Sequence, residues 1–176
     1  CHPVDNGVHA DPHGSGRATV RRGRIFVVMN GDVDNHIDLR DRYERETCAH
    51  VSPRITTDTK VVALEVDRQL AAGHPLEEAF RRAVASFHGS CAIGMLSDLA
   101  PGRVFLSLRG SGQSLYVGVS PDGFFASSEV YGLVEETSRY LRMDGETPGN
   151  PENANASRGQ IIELHGALAG TVEGIA

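Results

Sequence analysis

Residues 26–36 read Phe-Val-Val-Met-Asn-Gly-Asp-Val-Asp-Asn-His, an apolar run that ends abruptly at an Asn-Gly pair. Both residues tolerate positive φ, so Asn-Gly ordinarily closes a two-residue hairpin. A hairpin needs a second strand, but residues 37–43 are helical in pattern rather than alternating. The chain must therefore pass from strand to helix through Asn30, Gly31 and an acidic turn. Such a junction sets one side-chain amide and one glycine N–H at a strand's end. Two neutral donors there suit an oxyanion hole, where charge develops on a tetrahedral intermediate. The same pair also serves as a plain structural turn.

The rest of the chain surrounds this junction with helices first and strands later. Residues 1–23 are rich in Gly, Pro, His and Asp and read as loop, with the basic stretch from Arg17 to Arg24 as a solvated hairpin. Residues 24–29 form a strand that a run of consecutive apolar side chains, Ile25 to Met29, marks as fully buried. Helices are expected at 36–46, at 58–72 with Thr57 or Asp58 as its cap, and at 76–87 after Pro75. Past Gly89 the period switches to two, predicting strands at 90–96, 103–108, 115–119 and 123–126, separated by Pro/Gly turns. A helical turn at 129–135 and strands at 137–143, 160–164 and 171–175 complete the reading. Between the last of these, the Pro/Asn/Gly-rich stretch from Asp144 to Arg158 is expected as a surface insertion. One α+β domain spanning 1–176 accounts for the pattern.

Composition narrows the function. A net charge of −6 argues against nucleic acid as a partner, since phosphate binding requires a basic surface. No apolar run approaches the ~20 residues that cross a bilayer, so no membrane role is expected. Cys1, Cys48 and Cys91 have neither a paired framework nor metal-ligand spacing, which suits a reducing, cytoplasmic setting. Cys48 and Cys91 read as buried apolar fillers. His2, Asp5, His9, Asp11 and His13 alternate in a way that suits zinc, but loops of this kind are ordinarily just hydrated, and no metal is expected. Residues 110–114, Gly-Ser-Gly-Gln-Ser, look like a phosphate loop, yet no helix follows them, so a nucleotide site is excluded.

Several segments together resemble class II glutamine amidotransferases. Residues 29–39 resemble the family's His-Asn-Gly-Ile-x-Asn-x-x-x-Leu, with Met29 in place of His. Residues 1–13 resemble Thr-His-Gly-x-Pro followed by Asn-Ala-His-Pro. Residues 56–60 resemble Ser-Asp-Thr-Glu, 108–115 resemble Ala-Arg-x-Gly-Ser-Pro-Leu, and 124–129 resemble Phe-x-Ala-Ser-Asp/Glu. The order is the family's own, and the match is strongest to the glutaminase domain of glutamine–fructose-6-phosphate aminotransferases. The resemblance implies a four-layer αββα sandwich of the N-terminal nucleophile hydrolase type. It implies glutamine as substrate, no cofactor, and ammonia delivered to a sugar-phosphate isomerase domain of the same parent protein, which forms glucosamine 6-phosphate.

By the same resemblance, Asn30 and the N–H of Gly31 form the oxyanion hole. Asp58 holds the glutamine ammonium, His2 and Cys1 lie by its carboxylate, and the 110–114 loop sits beside the pocket. The family nucleophile is an N-terminal cysteine opening a Cys-Gly-Ile strand, with its own amine as base. Residues 1–7 are turn-rich instead, and the register places Cys1 on the family's threonine. The chain is therefore expected to be an N-terminally truncated fragment, inactive alone, that lacks the nucleophile strand and the arginine that meets the carboxylate. A missing strand exposes a sheet edge and favours association with a second copy or another partner. The departures at Cys1, Pro3, Asp11 and Met29 keep open a non-catalytic binding module on the same fold, and the reactivity of a free N-terminal cysteine keeps open a hydrolase using Cys1 itself.

Overall fold

A computed structural model of the chain describes residues 3–7, 23–150, 152 and 158–176. Its larger sheet has the order β1-β2-β3-β4-β8, antiparallel throughout, from β1 (Val4–Asp5), β2 (Ile25–Gly31), β3 (Cys91–Ser97), β4 (Arg103–Arg109) and β8 (Gln160–His165). A smaller antiparallel sheet has the order β6-β5-β7, from β5 (Tyr116–Ser120), β6 (Gly123–Ser127) and β7 (Tyr140–Arg142). Helices α1 (His36–Thr47), α2 (Thr59–Ala71) and α3 (Leu76–Ala85) lie together between β2 and β3 in sequence.

Two cores share the large sheet. On one face Ile25, Val27 and Met29 of β2 and Ile93 and Met95 of β3 pack with Val62, Val66, Phe80 and Ala83 of the helices. On the other, Ala92, Leu106, Leu108, Ile162 and Leu164 meet Leu115, Val117 and Met143 from the smaller sheet's side. Beyond the small sheet, one 3-10 turn at Val130–Gly132 sends Leu133 over Gly118. The described layers thus run helix, sheet, sheet, short turn. Helix α2 is buried from Thr59 to Val66 because α1, α3 and the sheet all contact it.

Several expectations change. β2 is not buried on both faces: Phe26 and Val28 are 40% and 44% exposed. The small sheet's core reaches β4, β8 and Ala92 of β3 but not β2, a distinction that an unbroken apolar run cannot carry. Residues 172–174 form a 3-10 turn rather than a strand, and the chain then meets β8 at the bridge between Leu164 and Ile175, where Ala176 exchanges backbone bonds with Glu163. Cys48 is not a core filler. It is exposed and ends α1 at φ +53, while Cys91 is buried as expected. Neither Thr57 nor Asp58 caps α2 through a side-chain bond at the N-cap; Lys60 and Val61 N–H bond instead to the backbone carbonyls of Thr57 and Asp58. Most of the basic 17–24 stretch lies outside the described residues.

The chain between β7 and β8 is pinned at its base. Asp144 N–H donates to Gln160 Oε1 at 2.7 Å, Gly159 N–H to Thr147 O at 2.7 Å, and Pro148 bridges Arg158. Gly145 O accepts Gly110 N–H at 2.8 Å, so this segment braces the turn after β4.

Candidate functional site

The C-terminal ends of β2 and β4 and the start of β3 meet at one end of the large sheet. Gly31 stands opposite Cys91, and Cys91 opposite Arg109. Strand alternation turns Met29 toward the helices and Asn30 to the other face. Asp32 N–H donates to Ser90 O at 3.0 Å. Antiparallel alternation then directs the N–H of Gly31 to the side of β2 away from β3.

Gly31 sits at φ +106, and a Cβ there would collide with Ser90 O and approach Cys91 Cα to 3.0 Å. Only glycine satisfies both constraints. The acidic turn beyond it is laced to the α3–β3 connection. Asp34 N–H donates to His88 O at 2.9 Å, Asn35 Nδ2 to Ser86 O at 3.0 Å, and His88 N–H to Asn35 Oδ1 at 2.9 Å. Asn35 therefore spends its amide on this tie rather than on capping α1.

Asp58 joins the same junction. Its Oδ2 accepts Val33 N–H at 2.9 Å, linking α2 to the turn after Gly31. The Cys91 thiol lies within electrostatic reach of both Arg109 and Asp58, but burial dominates and pushes it up to about 11. A buried thiol of that kind holds almost no thiolate at neutral pH and is no nucleophile.

Asn30 Nδ2 donates to Gln113 Oε1 at 2.7 Å. The Gln113 loop is held by Gly112 N–H donating to Ser90 Oγ at 2.8 Å. Gln113 also lines a cleft of about 230 Å3 with Leu108, Arg142, Asp144 and Glu146. The sequence reading set this loop beside the pocket but gave no role to Gln113 or Ser90. Gln113 falls within the 108–115 motif, but the motif does not single out its side chain, and no motif marks Ser90; the part each plays depends on β3 and β4 ending side by side.

Upstream, Lys60 is buried and its Nζ donates to Asp5 O and, at 2.6 Å, to Gly7 O, with Asp5 Oδ1 at 3.5 Å. Asn6, also buried, donates to Gly23 O at 3.0 Å and to Asp67 Oδ1 at 2.9 Å. These bonds fix the Asp5–Gly7 segment against α2. Cys1, His2, His9, Asp11 and His13 lie outside the described residues. Among the described residues no cluster of His, Cys, Asp and Glu is arranged to hold a metal.

Residues 9–135 match the model of a family described as a glutamine amidotransferase domain. The chain belongs to this glutamine amidotransferase family. Curated relatives named glutamine–fructose-6-phosphate aminotransferase (isomerizing) share 31% identity over 143 residues in Methanothermobacter thermautotrophicus and 29% over 142 residues in Bacillus anthracis. Each alignment covers 81% of this chain and 22% of the relative, so the chain spans about a fifth of the length of those proteins. Among solved structures, the glutamine phosphoribosylpyrophosphate amidotransferase from B. subtilis superposes with TM-score 0.64 at 18% identity, over 88% of this chain and 29% of that one. The allosteric regulatory enzyme of purine biosynthesis gives TM-score 0.58 at 16% identity. The two packed antiparallel sheets and the helical layer on the larger one thus share the fold of these amidotransferases, as the motifs implied. Among the described residues, no helix is long and apolar enough to cross a membrane.

Proposed function

We propose that this domain binds glutamine with its side-chain carbonyl at Asn30 Nδ2 and Gly31 N–H, and that the parent protein hydrolyses it to release ammonia. The observation that carries this reading is Gly31, held at φ +106 against Ser90 in a position no other residue can take. Asp58 offers a carboxylate to the substrate ammonium, one oxygen accepting Val33 N–H and the other meeting the ligand. Cys1 and His2 belong to the carboxylate side of the pocket. A nucleophilic cysteine from outside this chain attacks the amide carbon and forms a thioester as ammonia leaves; water then releases glutamate.

The acceptor of the ammonia is a sugar phosphate, bound by an isomerase domain of the same parent in the reducing cytoplasm. The names of the curated relatives, and the fifth of their length that this chain spans, support that assignment. The described part of β1 pairs with β2 only at Phe26 and Val27, and the rest of the parent or a second copy extends this edge. The stretch from Asp144 to Arg158 is a surface insertion. In the full-length parent, Asn30→Ala lowers glutamine hydrolysis by about 10²–10³-fold, the cost of one oxyanion donor. Near-normal turnover removes Asn30 from the mechanism.

One observation favours a second reading, that of a binding module without catalysis: among the described residues, the thiol beside Gly31, Cys91, is buried and pushed up to about 11. Ammonia release by the parent separates the two. A parent that binds glutamine without hydrolysing it is the module.

A further inference from the structure

The residue in contact with Asn30 is itself a glutamine. Gln113 presents a primary carboxamide, and its carbonyl oxygen accepts the Asn30 Nδ2 hydrogen at 2.7 Å. That is the group, in the orientation, that the site would take from a substrate glutamine. Gln113 Cγ also stands 3.0 Å from where a Gly31 side chain would begin, so the stem lies along the same junction. Asn30 is exposed and Gln113 only partly buried, and the cleft of about 230 Å3 beside Gln113 leaves it room to withdraw. The loop bond from Gly112 N–H to Ser90 Oγ involves backbone rather than the Gln113 side chain, so the side chain can leave while the loop stays.

We infer that Gln113 is an internal competitor, an intramolecular carboxamide that occupies the Asn30 donor until substrate glutamine displaces it. This rests on the reading of Asn30 as the donor to the substrate carbonyl. The apparent affinity of a site falls in proportion to the fraction that is unoccupied. One intramolecular hydrogen bond of ordinary net strength then weakens substrate binding by roughly 2- to 12-fold. The device would keep the donor satisfied when glutamine is scarce and would set the concentration at which the site fills.

The test uses the full-length parent protein, with its nucleophilic cysteine replaced by alanine so that glutamine is bound and not consumed, and follows the Asn30 side-chain amide resonance by NMR as L-glutamine is added. Gln113→Met keeps the stem and removes the carboxamide, and Gln113→Ala clears the stem as well. Both should shift the Asn30 amide signal before any ligand is added and tighten the glutamine dissociation constant by about 2- to 12-fold. If glutamine moves the Asn30 signal with unchanged or weaker affinity in both variants, Asn30 remains the substrate donor and the competitor role of Gln113 is overturned. If saturating glutamine leaves the Asn30 signal unmoved in the original chain and both variants, the reading of the site itself fails and the competitor goes with it.

Discussion

Asp58 holds Val33, accepting its backbone N–H at 2.9 Å across the gap between α2 and the turn after Gly31. The carboxylate is thus a structural tie as well as the group assigned to the substrate ammonium. Two substitutions separate the roles. Asp58→Asn keeps an acceptor for Val33 and should lower stability by less than about 1 kcal/mol, while Asp58→Ala strands the donor and should cost about 1–3 kcal/mol in urea unfolding. Glutamine affinity should drop in both, by roughly 10-fold or more, because each removes the charge. An Asp58→Asn chain with unaltered glutamine affinity would leave Asp58 as a tie only.

How much of this was legible beforehand follows a physical line. The three helices and most strands lay within a residue or two of expectation, because each has its own period and its own Gly or Pro boundary. The end segment 171–175 misled because Val-Glu-Gly-Ile looks strand-like, whereas residues 172–174 close a 3-10 turn and the chain pairs with β8 at Ile175 and Ala176. The motifs marked Asn30, Gly31 and Asp58 as candidates, and the structure ties Asp58 to the turn that follows Gly31. Gln113, Ser90 and Lys60 were not so marked, because their contacts cross 83, 22 and 55 or 53 residues of sequence and depend on which strands become neighbours. Lys60 in particular stands on a helix face that looks solvated until the Asp5–Gly7 segment closes over it.

That closure predicts a stability effect at Lys60. Its ammonium is buried and donates to the carbonyls of Asp5 and Gly7, with the Asp5 carboxylate nearby. Lys60→Met should destabilise the chain by about 3 kcal/mol, because the carbonyls lose their donor inside the fold. Amide exchange at Asn6 and Gly7 should accelerate in the variant, while exchange in β3 and β4 follows only the global loss. Unchanged protection at Asn6 would show that its bonds to Gly23, Ile25 and Asp67 hold the segment without Lys60.

Acid should expose the buried carboxylate of α2. Burial raises the proton affinity of Glu65, but the Arg68 guanidinium, Gln69 and Arg42 outweigh it and hold the group below its ordinary 4.5. Arg68 donates to both Glu65 oxygens, at 2.6–3.1 Å, and Arg42 lies 3.0 Å away. A carboxyl lowered in the folded state adds stability that is complete above its unfolded value and is lost as pH falls through the folded one. Glu65→Gln should therefore cost about 3 kcal/mol at neutral pH, and the gap to the original chain should narrow below about pH 4.5. A gap that stays constant down to about pH 3 would mean that Glu65 is not ionised by these partners.

The thiols should differ in reactivity. Cys48 is exposed at the end of α1, whereas Cys91 is buried, with its proton held up to about 11. Iodoacetamide at pH 8 should label Cys48 readily and Cys91 only with the kinetics of opening of the sheet end, since thiolate is the reacting form. Rapid labelling of Cys91 in the folded chain, located by peptide mapping, would contradict the burial at Gly31's partner.

Gly31 is the position where geometry is least forgiving, and Gly73 provides its control. Both hold positive φ, +106 and +92, but a Cβ at Gly73 meets nothing within 4 Å, whereas one at Gly31 collides with Ser90 O. Gly73→Ala should therefore cost only the conformational strain, about 1–2 kcal/mol. Gly31→Ala adds the overlap with a backbone carbonyl that is itself bonded to Asp32 N–H, so the ladder at the end of β2 and β3 must open. That sum is about 2–5 kcal/mol. Urea midpoints of the two variants, measured side by side, separate strain from collision. If they fall equally, β2 and β3 relax at no cost, and the close approach at Gly31 is not what holds the Asn30 junction in place.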